Sequence, residues 1–173
     1  MGNGERTATA IGAVVAVVLQ VVLAPNIALF AAVPNFLLAY ALVVAITRAQ
    51  SCGLVMPFVL GMIFDLVGGG PVGACALLLV LATFLLSRAS ALVDNGTLFM
   101  PLAMLLGSTL LVELLYAVLL LLSGAGLNPL EAFVYRALPC ALYDMVAGLV
   151  MYPLVVRFVA RRAAQQPGTP QIL

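Results

Sequence analysis

The sequence predicts an all-α polytopic membrane protein, a single bundle of six transmembrane helices, and two observations predict this fold class. Hydrophobic residues make up 65% of the 173 residues and charged residues 8%, with a mean hydropathy of +1.27, which lies outside the range of soluble domains. The apolar run 53–86 would be roughly 50 Å long as one helix, against about 30 Å of hydrocarbon in a bilayer. The run must therefore fold back, and the sequence Gly68-Gly69-Gly70-Pro71 is where it can bend.

Composition and length exclude several classes of function. Six spans of about 20 residues each use nearly the whole chain, which leaves no room for a soluble catalytic domain. Histidine, lysine and tryptophan are absent, so the commonest general base is missing, and a net charge of +1 speaks against a nucleic-acid partner. Cys52, Cys75 and Cys140 show neither metal-ligand nor redox spacing and are interpreted as inert apolar residues. We therefore predict no catalytic residue, no cofactor and no metal.

Turn residues and charges divide the chain into the six spans. The predicted spans are Ala8–Ala24, Leu29–Thr47, Gly53–Val67, Val72–Ser87, Leu98–Leu122 and Phe133–Val159. Pro25 and Asn26 end the first span, and Pro34 and Asn35 fall within the first turns of the second. The third span, at about 22 Å, is too short to cross the membrane unaided. Short or broken third and fourth helices are therefore expected.

The arginines orient the predicted bundle. If six spans alternate, all arginines except Arg136 fall on one side, namely Arg6, Arg48, Arg88, Arg157, Arg161 and Arg162. Because positive charge accumulates on the cytoplasmic side of a membrane, both termini are predicted to be cytoplasmic, with the glycine bend facing outward. Residues 1–164 then form one integral membrane domain, and 165–173 a disordered cytoplasmic tail.

Acidic residues inside membrane spans are costly and are candidates for function. Asp144 is predicted near the bilayer midplane, with Pro139 one turn earlier and the hydroxyl of Tyr143 beside it. A transporter could use such a carboxylate for protons or cations. Alternatively, Asp144 is protonated or hydrogen-bonded to another helix of the bundle, and both interpretations stay open.

Two further acids have alternative interpretations. Asp65 lies one turn before the glycine bend and either caps the amides of Gly68 to Gly70 or pairs, exposed, with an arginine of another protein. Glu113 is most simply a partner of Arg136 in the following span, although their depths differ by roughly two turns.

Part of the chain, Val33 to Leu86, resembles the MreD family of bacterial rod shape-determining membrane proteins. The resemblance consists of an initial Pro-Asn-aromatic sequence, then G-x-x-x-D-L-x-x-G about two dozen residues later, then a further glycine. The matching residues are Pro34, Asn35, Phe36, Gly61, Asp65, Leu66, the glycine run Gly68 to Gly70, and Gly73. Towards the C-terminus, Leu138-Pro139 followed by Tyr143 is similar to the last helix of the family only in general character.

The resemblance implies a non-enzymatic scaffold of the bacterial cell-elongation complex in the inner membrane. Members of this family work beside MreC, a single-span protein with an extracytoplasmic domain. Other partners that the resemblance implies are the actin-like MreB, a polytopic peptidoglycan glycosyltransferase and a penicillin-binding transpeptidase. The family is also similar in fold to the substrate-binding subunits of energy-coupling-factor vitamin transporters.

That similarity of fold supplies the alternative function, a vitamin-binding subunit of an uptake transporter. A vitamin site needs polar and aromatic side chains that converge on an outward cavity. The predicted outward loops offer little beyond Asn128, Glu131, Tyr135 and Arg136. The scaffold is therefore favoured, and a membrane enzyme, which would need clustered acids or a metal site, ranks third.

Overall fold

The computed structural model describes residues 3–28, 32–48, 53–92, 99–124, 126 and 128–164. Six α-helices lie within these ranges: α1 (Asn3–Val18), α2 (Phe36–Thr47), α3 (Val55–Gly68), α4 (Ala74–Leu92), α5 (Phe99–Leu122) and α6 (Leu138–Ala164). The helix α1 continues as a π-helical turn, Leu19–Leu23, and a 3₁₀ turn, Ala24–Ile27. Another π-helical turn, Glu131–Ala137, leads directly into α6. The predicted disordered tail, 165–173, lies outside the described residues.

Four helical stretches in the described ranges are long and apolar enough to cross a membrane. They are Arg6–Ile27, Ala74–Leu92, Phe99–Leu122 and Glu131–Phe158, whereas Phe36–Thr47 and Val55–Gly68 are shorter. An all-helical membrane bundle is thus confirmed, and the third helix is short as predicted. The prediction for the fourth helix was wrong, because α4 is an unbroken helix of 19 residues. The second helix is the other short one.

The predicted start of the second span was also wrong. Residues 32–35 are not helical, and α2 begins at Phe36 instead of including Pro34 and Asn35 in its first turns. Pro34 has no amide hydrogen to donate, and Asn35 adopts the non-helical backbone of an N-cap, with φ −102° and ψ 86°. At 12 residues, α2 is about 18 Å long, little more than half of a hydrocarbon core.

The short helix α2 is the axis of the bundle. Every residue of α2 except Thr47 is buried. The helices α1, α3, α4, α5 and α6 all pack against it. A helix that is apolar on all sides requires such complete enclosure, and 12 consecutive residues without a charge meet that requirement.

The ends of the bundle follow from the contacts of α2. Arg48, at the end of α2, donates to the hydroxyl of Thr9 near the start of α1, so these two helices are antiparallel. The helix α6 passes the start of α2 at Asp144 and continues beside it towards Arg48. The first turns of α1 and the last turns of α6 therefore lie at the same end of the bundle, as the alternation of spans predicted.

Large apolar side chains cover the outside of the bundle. The most exposed of them in the helices include Val14, Val22, Val55, Leu66, Leu77, Phe99, Val150 and Leu154. In water such a surface would be an aggregation hazard, whereas in lipid it is the ordinary outer face of a membrane bundle.

Candidate functional site

The start of α2 lies inside the bundle, and side chains from other elements satisfy its backbone. The Asn35 side-chain oxygen accepts from the Leu38 amide at 2.9 Å, which is an N-cap. Gln20, in the π-helical turn after α1, accepts from the Phe36 amide at 2.8 Å and donates to the Pro34 carbonyl at 3.3 Å. Because non-helical backbone within a membrane must be hydrogen-bonded by protein, these contacts make the interrupted second span possible.

Asp144 supplies the remaining contact at the start of α2. Its Oδ1 accepts from the Asn35 amide at 2.6 Å, and the side chain is completely buried. Asp144 lies at the middle of the helical stretch Glu131–Phe158. Of the two interpretations, the structure therefore shows that Asp144 accepts a hydrogen bond from another segment of the bundle.

Asp65 holds the start of α4 in a similar way. Its Oδ2 accepts from the amides of Gly73 at 2.9 Å and Ala76 at 3.2 Å, and its Oδ1 accepts from the Cys75 amide at 3.1 Å. The capping interpretation was right in kind but wrong in its partners, because the amides lie after the glycine bend and not at Gly68 to Gly70. The exposed ion pair was wrong, since Asp65 is only 1% exposed.

The glycines of the motif fit this contact between α3 and α4. Gly61 is one turn before Asp65 on the same face of α3, and a Cβ there would lie 2.4 Å from the Cα of Ala76. Gly73, with φ +92°, turns its amide towards Asp65 in a conformation that favours glycine. The spacing G-x-x-x-D thus places a close backbone contact and a helix cap side by side.

The starts of α2 and α4 meet at the centre of the bundle. The Asn35 side-chain amide lies 3.9 Å from the Cys75 sulfur in the first turn of α4. We call the buried residues at this meeting point the polar centre: Asn35, Asp65, Cys75, Glu113 and Asp144. Two helix N-termini with their positive dipole ends face carboxylates here, an arrangement that stabilises negative charge in the membrane interior.

Glu113 and Arg136 line one small cavity of about 60 Å³ next to the polar centre. They do not form the predicted ion pair: in the described part of the chain, no salt bridge joins them. The Arg136 guanidinium instead lies over the ring of Tyr116, 5.9 Å from its centroid. The Arg136 side chain therefore does not reach across the difference in depth between Glu113 and Arg136 that the sequence indicated. Glu113 faces Asp144 instead, across the interface between α5 and α6.

Several predicted residues lie away from the polar centre. Leu66 is 68% exposed on the outer face of α3, and Gly68 ends that helix. The Tyr143 hydroxyl is not bonded to Asp144, because it donates to the Ile27 carbonyl at 2.8 Å. Adjacent residues of a helix point about 100° apart, which explains the separation. Phe36 is part of the apolar core.

Sequence reasoning missed Gln20, whose side-chain amide forms hydrogen bonds with the backbone of Pro34 and of Phe36 at the start of α2. One signal could have found it: Gln20 is the one amide side chain in the apolar run of the first span. A buried amide in a membrane helix must find partners, so its presence predicts non-helical backbone nearby.

Replacing Gln20 with leucine should destabilise the protein by about 2–3 kcal/mol, because the Phe36 amide and the Pro34 carbonyl lose their partner inside the bundle. The measurement is the free energy of unfolding in detergent. As a control, Asn26→Ala removes an exposed amide of the same segment, which bonds only the carbonyl of its own preceding turn, and should change stability by less than about 0.5 kcal/mol. Equal effects of the two substitutions would contradict the assignment.

An apolar groove runs between α1 and α6, separate from the polar centre. It has a volume of about 520 Å³, with Phe36, Tyr40 and Val44 of α2 as its floor. Its walls include Gly12, Val15 and Ala16 of α1 and Val146, Val150 and Leu154 of α6. The polar groups along it are already used inside the protein: Tyr40 donates to the Thr9 carbonyl, Arg48 to the Thr9 hydroxyl and Tyr143 to Ile27.

The chemistry of the polar centre is that of helix capping. Among the described residues, no three His, Cys, Asp or Glu side chains are grouped as metal ligands, and Cys75 and Cys140 are buried free thiols. The acids Asp65 and Asp144 hold the backbone at the starts of α4 and α2, which fixes how these two helices sit in the bundle.

Comparison with family models gives a match over most of the chain. No curated protein and no solved structure matches the chain. The family model described as rod shape-determining protein MreD matches residues 7–162, which includes α2 to α5, most of α1 and α6, and every residue of the polar centre. The chain therefore belongs to the MreD family of rod shape-determining membrane proteins.

Proposed function

We propose that this protein is a non-catalytic subunit of the cell-elongation (rod) complex, the elongasome, in the bacterial cytoplasmic membrane. In this proposal it binds an MreC-like single-span protein and supports lateral peptidoglycan synthesis and cell shape. MreB, a polytopic glycosyltransferase and a penicillin-binding transpeptidase are further partners. The observation that supports the proposal is where the polar and apolar groups lie. The buried acids Asp65 and Asp144 cap helices inside the bundle, whereas the outer surface consists of apolar helix faces and includes an apolar groove.

The groove between α1 and α6 is the proposed contact for the partner's membrane helix. Its floor and walls are apolar, and it extends along the half of the bundle that α2 occupies. Ala8 and Ala16 are buried and Gly12 packs against the Tyr40 ring of α2, so the exposed side chains that a partner helix would meet are the larger apolar ones such as Val15 and Val150. Since the hydroxyl and guanidinium groups beside it already have partners, packing of an apolar helix suits the groove better than recognition of a polar ligand.

The proposed orientation places both termini in the cytoplasm. The end of the bundle where α1 begins and α6 finishes carries Arg6, Arg48 and Arg157, and α4 carries Arg88 towards that same end. Arg136 lies in the π-helical turn before α6, at the other end of that helix from Arg157. This asymmetry supports a cytoplasmic location of the arginine-rich end.

Filling the groove should prevent partner binding. Val150→Trp places an indole on its wall, and we expect recovery of a tagged MreC-like protein in a detergent pull-down to fall at least about tenfold, or about 1.4 kcal/mol. Leu77→Trp is the matched control: Leu77 is 62% exposed on α4, against 59% for Val150, and its substitution should leave recovery unchanged.

Other outcomes of this experiment are equally informative. If both variants recover the partner as well as the unmodified protein does, the groove is not the contact. If the unmodified protein recovers no partner, the scaffold function itself is wrong. Co-purification of a vitamin-sized ligand that Val150→Trp abolishes would favour the alternative, a substrate-binding subunit with the fold of an energy-coupling-factor transporter. The groove volume of about 520 Å³ is within the range of small-molecule sites, which keeps this second candidate open.

A further inference from the structure

One buried oxygen in the polar centre has no hydrogen-bond donor. Asp144 is completely buried, and although its Oδ1 accepts from Asn35, its Oδ2 has no donor among the described residues. A bare carboxylate oxygen in a medium of low dielectric constant is costly, so nearly all such atoms in folded proteins have a partner. The orientation of this oxygen therefore needs an explanation.

Glu113 supplies it. The Glu113 carboxyl group, only 8% exposed, lies within hydrogen-bonding reach of the Asp144 carboxyl group across the α5–α6 interface. Two carboxylates offer each other only hydrogen-bond acceptors. Two negative charges within hydrogen-bonding reach of each other also repel strongly. With a single proton between them, the same contact becomes a strong O–H···O⁻ hydrogen bond that satisfies the orphan oxygen.

The surrounding charges also favour one proton. The titratable groups that face the pair are Arg136 from the turn before α6, Cys140 of α6, Cys75 of α4, Tyr116 of α5 and, more distantly, Asp65 of α3. Asp65 has three backbone amides of its own. A pair that keeps one proton carries a single negative charge, which Arg136, a cation that lines the small cavity together with Glu113, balances.

We propose that Glu113 and Asp144 form a proton-binding site at the centre of the bundle, in which one proton is shared between α5 and α6. The remaining negative charge is shared by the two carboxyl groups. Asp144 Oδ1 carries part of this charge and accepts the hydrogen bond from the Asn35 amide at the start of α2. The bound proton is thus part of the structure that holds α2 in place, whichever partners the outer surface of the protein has.

Infrared spectroscopy of the protein in lipid vesicles tests the proposal. At neutral pH we expect the carbonyl stretch of about one protonated carboxylic acid. The band should be lost in Glu113→Gln and in Asp144→Asn, because each amide replaces the protonated partner, donates in its place and leaves the other acid ionised. Glu131→Gln, which changes an exposed acid, should keep the band.

The intensity of this band can overturn the proposal in two ways. No band in the unmodified protein means that both acids are ionised, and a band of double intensity that is halved in each single variant means that each acid holds its own proton.

Proton counting keeps the test decisive if a variant does not fold. Unfolding the unmodified protein in unbuffered detergent at about pH 7.5 should release about one proton to an indicator dye, since carboxyl groups of an unfolded chain are ionised at that pH. Release of none, or of two, contradicts a single shared proton.

Discussion

Replacing Asp65 with alanine should destabilise the protein by about 3–6 kcal/mol, the largest effect expected of any single side chain here. Three amides, those of Gly73, Cys75 and Ala76, would lose their acceptor at a position that is 1% exposed. Each unsatisfied buried donor costs about 1–3 kcal/mol. The measurement is chemical or thermal unfolding in detergent.

Asp65→Asn should be nearly as harmful, at about 2–4 kcal/mol, because the amide keeps one acceptor oxygen and turns an NH₂ group towards backbone N–H donors. A cap that bonded a single amide would give much smaller losses of stability, with Asn tolerated and Ala costing about 0.5–2 kcal/mol. Glu131→Ala removes an exposed acid and is the control, with an expected change below about 0.5 kcal/mol. Tolerance of Asn at position 65 would show that one amide, and not three, depends on this side chain.

Gly61→Ala should destabilise the protein by about 2–4 kcal/mol. The added methyl group would lie 2.4 Å from the Cα and 2.7 Å from the amide nitrogen of Ala76, both backbone atoms that cannot rotate away. The helices α3 and α4 must therefore separate, which moves Asp65 away from the amides that it holds one turn later. The effect should appear both as a lower melting temperature and as faster proteolysis in the bend between the helices.

Gly107→Ala is the matched control for this substitution. Gly107 lies on the exposed side of α5, and a Cβ there would meet nothing within 4 Å. Because alanine restricts the unfolded chain and favours helix, this variant should be more stable by about 0.4–1 kcal/mol. Opposite signs for the two glycines would establish that close packing, and not helix propensity, decides the effect at Gly61.

Much of the fold could be predicted from local sequence patterns. Hydrophobic runs located the helices, and the glycine bend with Asp65 before it indicated a helical hairpin with a capped turn, because the interacting residues lie within about a dozen positions of one another. The exact amides could not be predicted, since an acid before three glycines can reach the amides of the turn or those of the next helix. The left-handed conformation of Gly73, which turns its amide inward, settles the choice.

Long-range contacts of the polar centre were not predictable from spacing. An apolar stretch beginning near residue 29 looks like a helix of full length, and only the buried partners of Pro34, Asn35 and Phe36 explain why α2 starts late. Likewise, Glu113 and Arg136 suggest an ion pair by charge alone. Packing instead stacks the arginine on Tyr116 and turns the acid towards Asp144.

The late start of α2 has a consequence for how the protein is made. Asn35 and Asp144 are 109 residues apart, so the amide that begins α2 leaves the ribosome long before its acceptor exists. A helix of 12 residues also spans little more than half of a hydrocarbon core by itself. Insertion of α2 is therefore provisional until α6 arrives. A chain that stops before α6 would keep an open polar break in the bilayer, and quality-control proteases should remove it instead of leaving a partly working protein.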